Sequence, residues 1–208
     1  MAFIKQSNTE LVSQDERKNA REFADLVAGL EDLNPTCRRW SARDLADCPD
    51  ATAALVARLP IEQDLTVREV IFTTLVKLGD PAAIGELVKC LRSDDASLRN
   101  EAVEAMKQLP DEVAPIMGDL LKDPDPDTRI FAINILESLR HPGVVDWLIE
   151  VIASDPHVNV CGTAMDLLSE LGTSDAAEAL VALKARFPDE PYIQFCADFA
   201  LKRIREGC

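Results

Sequence analysis

The sequence predicts an all-α fold, a right-handed α-solenoid (α/α superhelix) of about six helix pairs. Three observations predict it. First, an anchor pair ending in Arg recurs in one register: Cys37-Arg38, Val67-Arg68, Leu98-Arg99 and Thr128-Arg129. Val160-Cys161 and Ile193-Gln194 keep the spacing but lose the Arg, and the steps from Arg38 are 30, 31, 30, 32 and 33 residues. Self-similarity at this period marks stacked supersecondary units, none able to bury its apolar face alone. Second, the same helical stripe follows each anchor. Four residues on stand Ala42, Phe72, Val103, Ile133 and Met165, and seven on stand Leu45, Leu75, Met106, Leu136 and Leu168. Apolar residues at these offsets share one helix face. Third, no stretch alternates apolar and polar residues as a half-buried strand does.

Taken in order, residues 1–12 are a polar, flexible N-terminal segment, and 13–208 form a single repeat domain. Ser13 with Glu16 reads as a capping box opening a helix that runs to about Leu30, with Phe23, Leu26, Val27 and Leu30 on one stripe. The repeats are expected at about 20–49, 50–80, 81–110, 111–141, 142–173 and 174–205. First helices fall near 20–30, 51–59, 82–91, 112–121, 143–152 and 175–186. Second helices fall near 36–47, 66–78, 97–108, 127–139, 158–171 and 191–205. Gly79-Asp80-Pro81, Pro110-Asp111, His141-Pro142-Gly143 and Gly172-Thr173-Ser174 punctuate the joints between repeats. Inside each repeat the break is acidic, as at Asp64, Asp94-Asp95, Asp123 to Asp127, and Asp155. Carboxylates there suit the electropositive start of the following helix.

The 208 residues carry 37 acidic and 22 basic side chains, a net charge of -15. That field argues against nucleic acid, which demands a basic footprint, and against anionic membrane. A protein partner of basic or mixed charge fits it better. The chain starts with no signal-peptide pattern and has no apolar run of spanning length, so a cytoplasmic location is expected. The six Cys (37, 48, 90, 161, 196 and 208) include no C-x-x-C pair and read as reduced thiols.

The segment Asp123-Pro124-Asp125-Pro126-Asp127-Thr128-Arg129, followed by Ala132 and Leu136, resembles the D-P-D-x-x-V-R turn and second helix of HEAT repeats, in particular the short phycobilisome-lyase-like type. The resemblance covers about residues 20–205. It implies a ladder between neighbouring repeats, built from a turn acid and a helix Arg six residues later. The carry-over pairs Asp32 with Arg38, Glu62 with Arg68, and Asp123 with Arg129. Arg99 stands six after Ser93, and Asp155 faces Cys161. The hydroxylase branch of HEAT-type enzymes uses His-Glu pairs as iron ligands, yet neither His141 nor His157 precedes a Glu. The DNA-glycosylase branch uses a basic groove. No catalytic residue, cofactor or metal is assigned. His157 and Cys161, four apart, would need a further metal ligand.

Four features remain as candidate sites. Cys37 to Arg43 gathers three Arg and Trp40 in an otherwise acidic chain. Arg39 and Arg43 lie on the free face of the helix and either bind a partner or pair with Asp44 and Asp47. Residues one and five after each anchor form a ridge: Arg39 and Arg43, Glu69 and Thr73, Asn100 and Glu104, Ile130 and Asn134, Gly162 and Asp166, Phe195 and Phe199. Ile130, Phe131 and Ile135 are apolar along it, either as an interface hot spot or as filling between repeats. Cys161 near a helix N-terminus is a candidate reactive thiol or the filler of the space left by the missing Arg. The last helix, with Phe195 and Phe199, is a candidate for docking or self-association. The leading expectation is a non-catalytic scaffold that binds a protein on this ridge. The resemblance also admits a bilin or cofactor lyase or chaperone role, and a third option is an accessory subunit of a bacterial signalling or assembly complex.

Overall fold

The computed structural model describes residues 21–171 and 174–206, and among them every regular element is helical. The expectations for residues 1–12, for the Ser13–Glu16 capping box and for Cys208 lie outside the described residues.

The described helices gather into two compact units, one ending at Leu78 and the other starting at Gly79. In the first unit, α1 (Phe23–Gly29) and α2 (Pro35–Asp44) make one pair, and α3 (Thr52–Arg58) and α4 (Leu65–Leu78) the next. The second unit holds α5 (Pro81–Cys90), α6 (Ala96–Met106), α7 (Pro110–Val113), α8 (Met117–Leu120), α9 (Pro126–Leu136), α10 (Val144–Ser154), α11 (Val158–Leu171), α12 (Ala177–Arg186) and α13 (Pro191–Glu206). Each expected helix is present. The one expected over 112–121 is split by a tight turn at Ala114–Ile116, because Pro115 has no amide to continue the ladder.

Second helices pack on second helices: α2 on α4 in the first unit, and α6 on α9, α9 on α11 and α11 on α13 in the second. First helices form the other layer, with α10 against α12. The anchor stripe is the seam between them. Leu45, Leu75, Met106, Leu136 and Leu168 are all buried, as are Ala42, Phe72, Val103, Ile133 and Met165.

The first four inner turns are built the same way. One polar residue caps the second helix: Asn34 accepts from Thr36 N, Asp64 from Thr66 N and Val67 N, Asp95 from Ser97 N and Leu98 N, and Asp125 from Asp127 N and Thr128 N. The residue two earlier closes the turn by accepting the cap's amide. Asp32, Glu62, Ser93 and Asp123 do so at 2.7, 2.8, 3.2 and 3.0 Å, and Asp155 takes the amide of His157 at 2.8 Å. These short side chains satisfy amides that a helix start leaves orphaned. After α4 the chain turns at Gly79, with φ of 58°, a left-handed conformation that a Cβ would strain.

Candidate functional site

The ladder is real, but its carboxylate connections differ from those expected. Arg38 donates to the main-chain oxygens of Asp32 and Leu33 in its own turn, then forks onto Glu62 of the next turn at 2.7 and 2.8 Å. Arg129 repeats this, donating to the oxygens of Asp123 and Pro124 and forking onto Asp155 at 2.6 and 3.0 Å. The residue six before the Arg thus supplies its carbonyl, and the carboxylate comes from the following repeat. Each receiving carboxylate closes its own turn as well, since Glu62 also takes the Asp64 amide and Asp155 the His157 amide. Arg99 meets the carbonyl of Ser93 at 2.6 Å, while Asp123 receives Arg92. Arg68 is buried on α4.

Burial opposes the charge on Glu62. Hydrogen bonds from Arg38, from the Asp64 amide and from Arg58 outweigh it and hold the carboxyl down to about 2. The Glu62 hydrogen bond, against the opposing effect of burial, raises Arg38.

Where the ladder loses its Arg, Cys161 stands in. Its thiol donates to the Asp155 oxygen at 3.2 Å. Arg186, at the end of α12, donates to that same oxygen and to Ile152 O. The missing guanidinium is therefore replaced from the following repeat, which no local spacing announced. Cys161 is fully buried, and burial pushes its thiol up to about 11. Burial outweighs the lowering effect of Arg186, which favours the space-filling alternative over the reactive thiol.

In the first unit, α2 and α4 are pinned by the Arg38–Glu62 fork and by Thr74 Oγ1 donating to Ala42 O at 3.0 Å. Beside these pins the helices enclose a cleft of about 710 Å³. Four expected ridge residues line it: Arg39 and Arg43 on α2, Glu69 and Thr73 on α4. Val70 and Lys77 line it as well. Lys77 continues the stripe Glu69–Thr73 by one more turn, so the i, i+4, i+8 pattern carried a signal for it. The pairing of Arg39 and Arg43 with Asp44 and Asp47 does not form. Asp44 takes Arg21 at 2.7 Å, and Asp47 takes Lys77 at 2.7 Å. Among the described residues no carboxylate lies within ion-pair distance of Arg39 or Arg43. Trp40 is half-buried on α2, and the described lining of the cleft does not include it.

In the second unit, Asn100 and Glu104 are exposed on α6, and Glu104 holds Lys107 at 3.0 Å. Ile130, Phe131 and Asn134 are half-buried on α9. The Arg99 guanidinium lies over the Phe131 ring, 5.8 Å from its centroid, and Ile135 is fully buried. Ile135 thus fills the core, while Ile130 and Phe131 both stay half-buried on α9. Further on, a Cβ at Gly162 would come within 3.1 Å of Tyr192. The bare glycine lets that ring lie on α11, where the Tyr192 hydroxyl donates to Asp166. Past it, Phe195 and Phe199 are 72% and 52% exposed, one turn apart on α13. Among the described residues no three His, Cys, Asp or Glu side chains converge to hold a metal ion. Nor is any described helix long and apolar enough to cross a membrane.

A family model described as HEAT repeats matches residues 23–107 and 114–193. The chain belongs to the HEAT-repeat family. Among curated relatives, the uncharacterised phycocyanin operon protein Z of Pseudanabaena tenuis is 26% identical over 84% of this chain and 91% of its own length. The bilin biosynthesis protein PecE of Mastigocladus laminosus is 28% identical over 71% of this chain. Its alignment spans just over half of that protein, 56%. The likeness to these two proteins thus extends along most of the chain. Among solved structures, the TOG3 domain of Drosophila melanogaster Mini spindles superposes with a TM-score of 0.54 at 14% identity, covering 86% of this chain and 93% of that one. That likeness is one of HEAT-type fold alone.

Proposed function

We propose that this HEAT-repeat protein handles a bilin-carrying protein, holding the subunit by the second-helix ridge in a lyase-like or chaperone role while its own chain supplies no nucleophile. Two kinds of support converge. The relatives bear phycocyanin-operon and bilin-biosynthesis names. The single structural observation that carries the reading is the exposed pair Phe195 and Phe199 at the end of the ridge, with Tyr192 also exposed beside them. Adjacent exposed aromatics have the composition of an interface core. Lys202, Arg203 and Arg205 follow them along α13, with Asp198 and Glu206 on the same helix, and this mixed charge suits a partner of mixed charge. The scaffold action and the bilin pathway are then one role: binding positions the acceptor, and the pigment's chemistry proceeds on it.

The test is co-elution of the chain with apo-phycocyanin subunits in the absence of pigment. Wild type is expected to form a complex that Phe195→Ser with Phe199→Ser weakens at least about tenfold, the loss of one to two hot-spot contacts. The melting temperature should stay unchanged, because both rings lie outside the core. No complex with wild type, or one indifferent to the double variant, would count against the reading. A homodimer dissolved by the variant would assign the face to self-association instead.

A further inference from the structure

We infer that the cleft between α2 and α4 is a carboxylate clamp for an extended dicarboxylate ligand of linear-tetrapyrrole size, with Arg39 and Arg43 each taking one carboxylate; this rests on the bilin-handling reading above. In a chain whose acids outnumber its bases by 37 to 22, cations ordinarily find carboxylates. Among the described residues Arg39 and Arg43 have no carboxylate within ion-pair distance, although Asp44 and Asp47 line the same cleft. Those two carboxylates are held by Arg21 and Lys77 instead. Arg39 and Arg43 thus line one concave wall together.

The spacing fits the ligand class. Residues four apart on a helix have Cβ atoms about 5–6 Å apart, which suits two carboxylates carried on neighbouring rings of one molecule. Each guanidinium offers a planar fork that matches a carboxylate bidentately. Across the cleft stands Glu69, exposed and without an ion-pair partner among the described residues, as an acceptor for N–H groups. The Thr73 hydroxyl donates to Glu69 O at 2.9 Å, which leaves its oxygen able to accept a further hydrogen bond. Val70 and Ala46 supply apolar wall. An apolar, conjugated body with two carboxylates and several N–H donors satisfies all of these. The cleft volume of about 710 Å³ lies within the range of small-molecule sites.

The experiment is an absorbance titration of the full chain with biliverdin as the free acid and, separately, as its dimethyl ester. The free acid should bind with a shifted visible band, and the ester at least about tenfold more weakly, since it cannot form the charge-assisted pairs. Arg39→Gln with Arg43→Gln should weaken the free acid by a similar factor and leave both the ester and the melting temperature unchanged. Equal binding of acid and ester, no binding of either, or indifference to the double variant would overturn the clamp. Capture of a poly-glutamate peptide in preference to biliverdin would also overturn it, assigning the cleft to an acidic segment. Apo-phycocyanin binding measured without pigment separates the two ideas: wild type that holds the subunit but does not bind biliverdin defeats the clamp alone.

Discussion

Arg129 on α9 reaches 26 residues forward to fork onto Asp155 at 2.6 and 3.0 Å, and both side chains are nearly inaccessible to water. Asp155 also takes the His157 amide, while its own carbonyl receives the Cys161 thiol and Arg186. One residue therefore joins three consecutive helices and the next repeat.

Removing the guanidinium should be costly for that reason. Arg129→Ala is expected to destabilise the protein by about 3–5 kcal/mol, because it strands a buried carboxylate. Lys122→Ala, which breaks the exposed pair with Glu150 at 3.0 Å, should change stability by about 0–1 kcal/mol. Urea unfolding of both variants checks the contrast, and equal small losses would show that the ladder is not structural.

The acid limb of stability should carry the signature of Glu62. Its folded pKa, about 2, lies below the ordinary value. A depressed folded pKa contributes stability that is fully present above the unfolded value of about 4.3, and that is lost as pH falls towards the folded value. Melting temperature measured from pH 5 down to pH 2 should therefore fall less steeply for Glu62→Gln than for wild type, from a lower start. Parallel curves would contradict the pairing.

Thiol labelling tests the fate of Cys161. Half-buried Cys37, Cys48 and Cys196 should react with a thiol reagent in the native state. Cys161 and Cys90, both buried, should react only on unfolding, and Cys161 should be held back further by its raised pKa. Arg186→Ala, which uncovers the Asp155 carbonyl, should destabilise by about 1–2 kcal/mol in urea unfolding. Fast native labelling of Cys161 in wild type would restore it as a chemical candidate.

Much of this was legible in the sequence. The helices follow from the period and the stripe, because apolar burial at i, i+4 and i+7 is a local code. The cap acids follow from the same logic, since Asp64, Asp95 and Asp125 act on amides two and three residues on. The cleft was half legible: the ridge offsets placed Arg39, Arg43, Glu69 and Thr73 together. Which carboxylates those arginines would find was not legible. Arg21 and Lys77 compete for Asp44 and Asp47 from 23 and 30 residues away. The direction of the ladder was hidden for the same reason. Spacing of six is visible along the chain, but the forward reach of Arg38 to Glu62 depends on how two repeats stack. Phe131 shows the converse, an apolar residue on the ridge that Arg99 covers.

The partner-holding role is tested most directly by hydrogen–deuterium exchange of the chain alone and with apo-phycocyanin subunits. Amides of α13 around Phe195 and Phe199 should gain protection on adding the subunit, with the first-helix layer of α10 and α12 unchanged. Protection confined to that first-helix layer, or none anywhere at saturating subunit, would contradict a ridge-held partner.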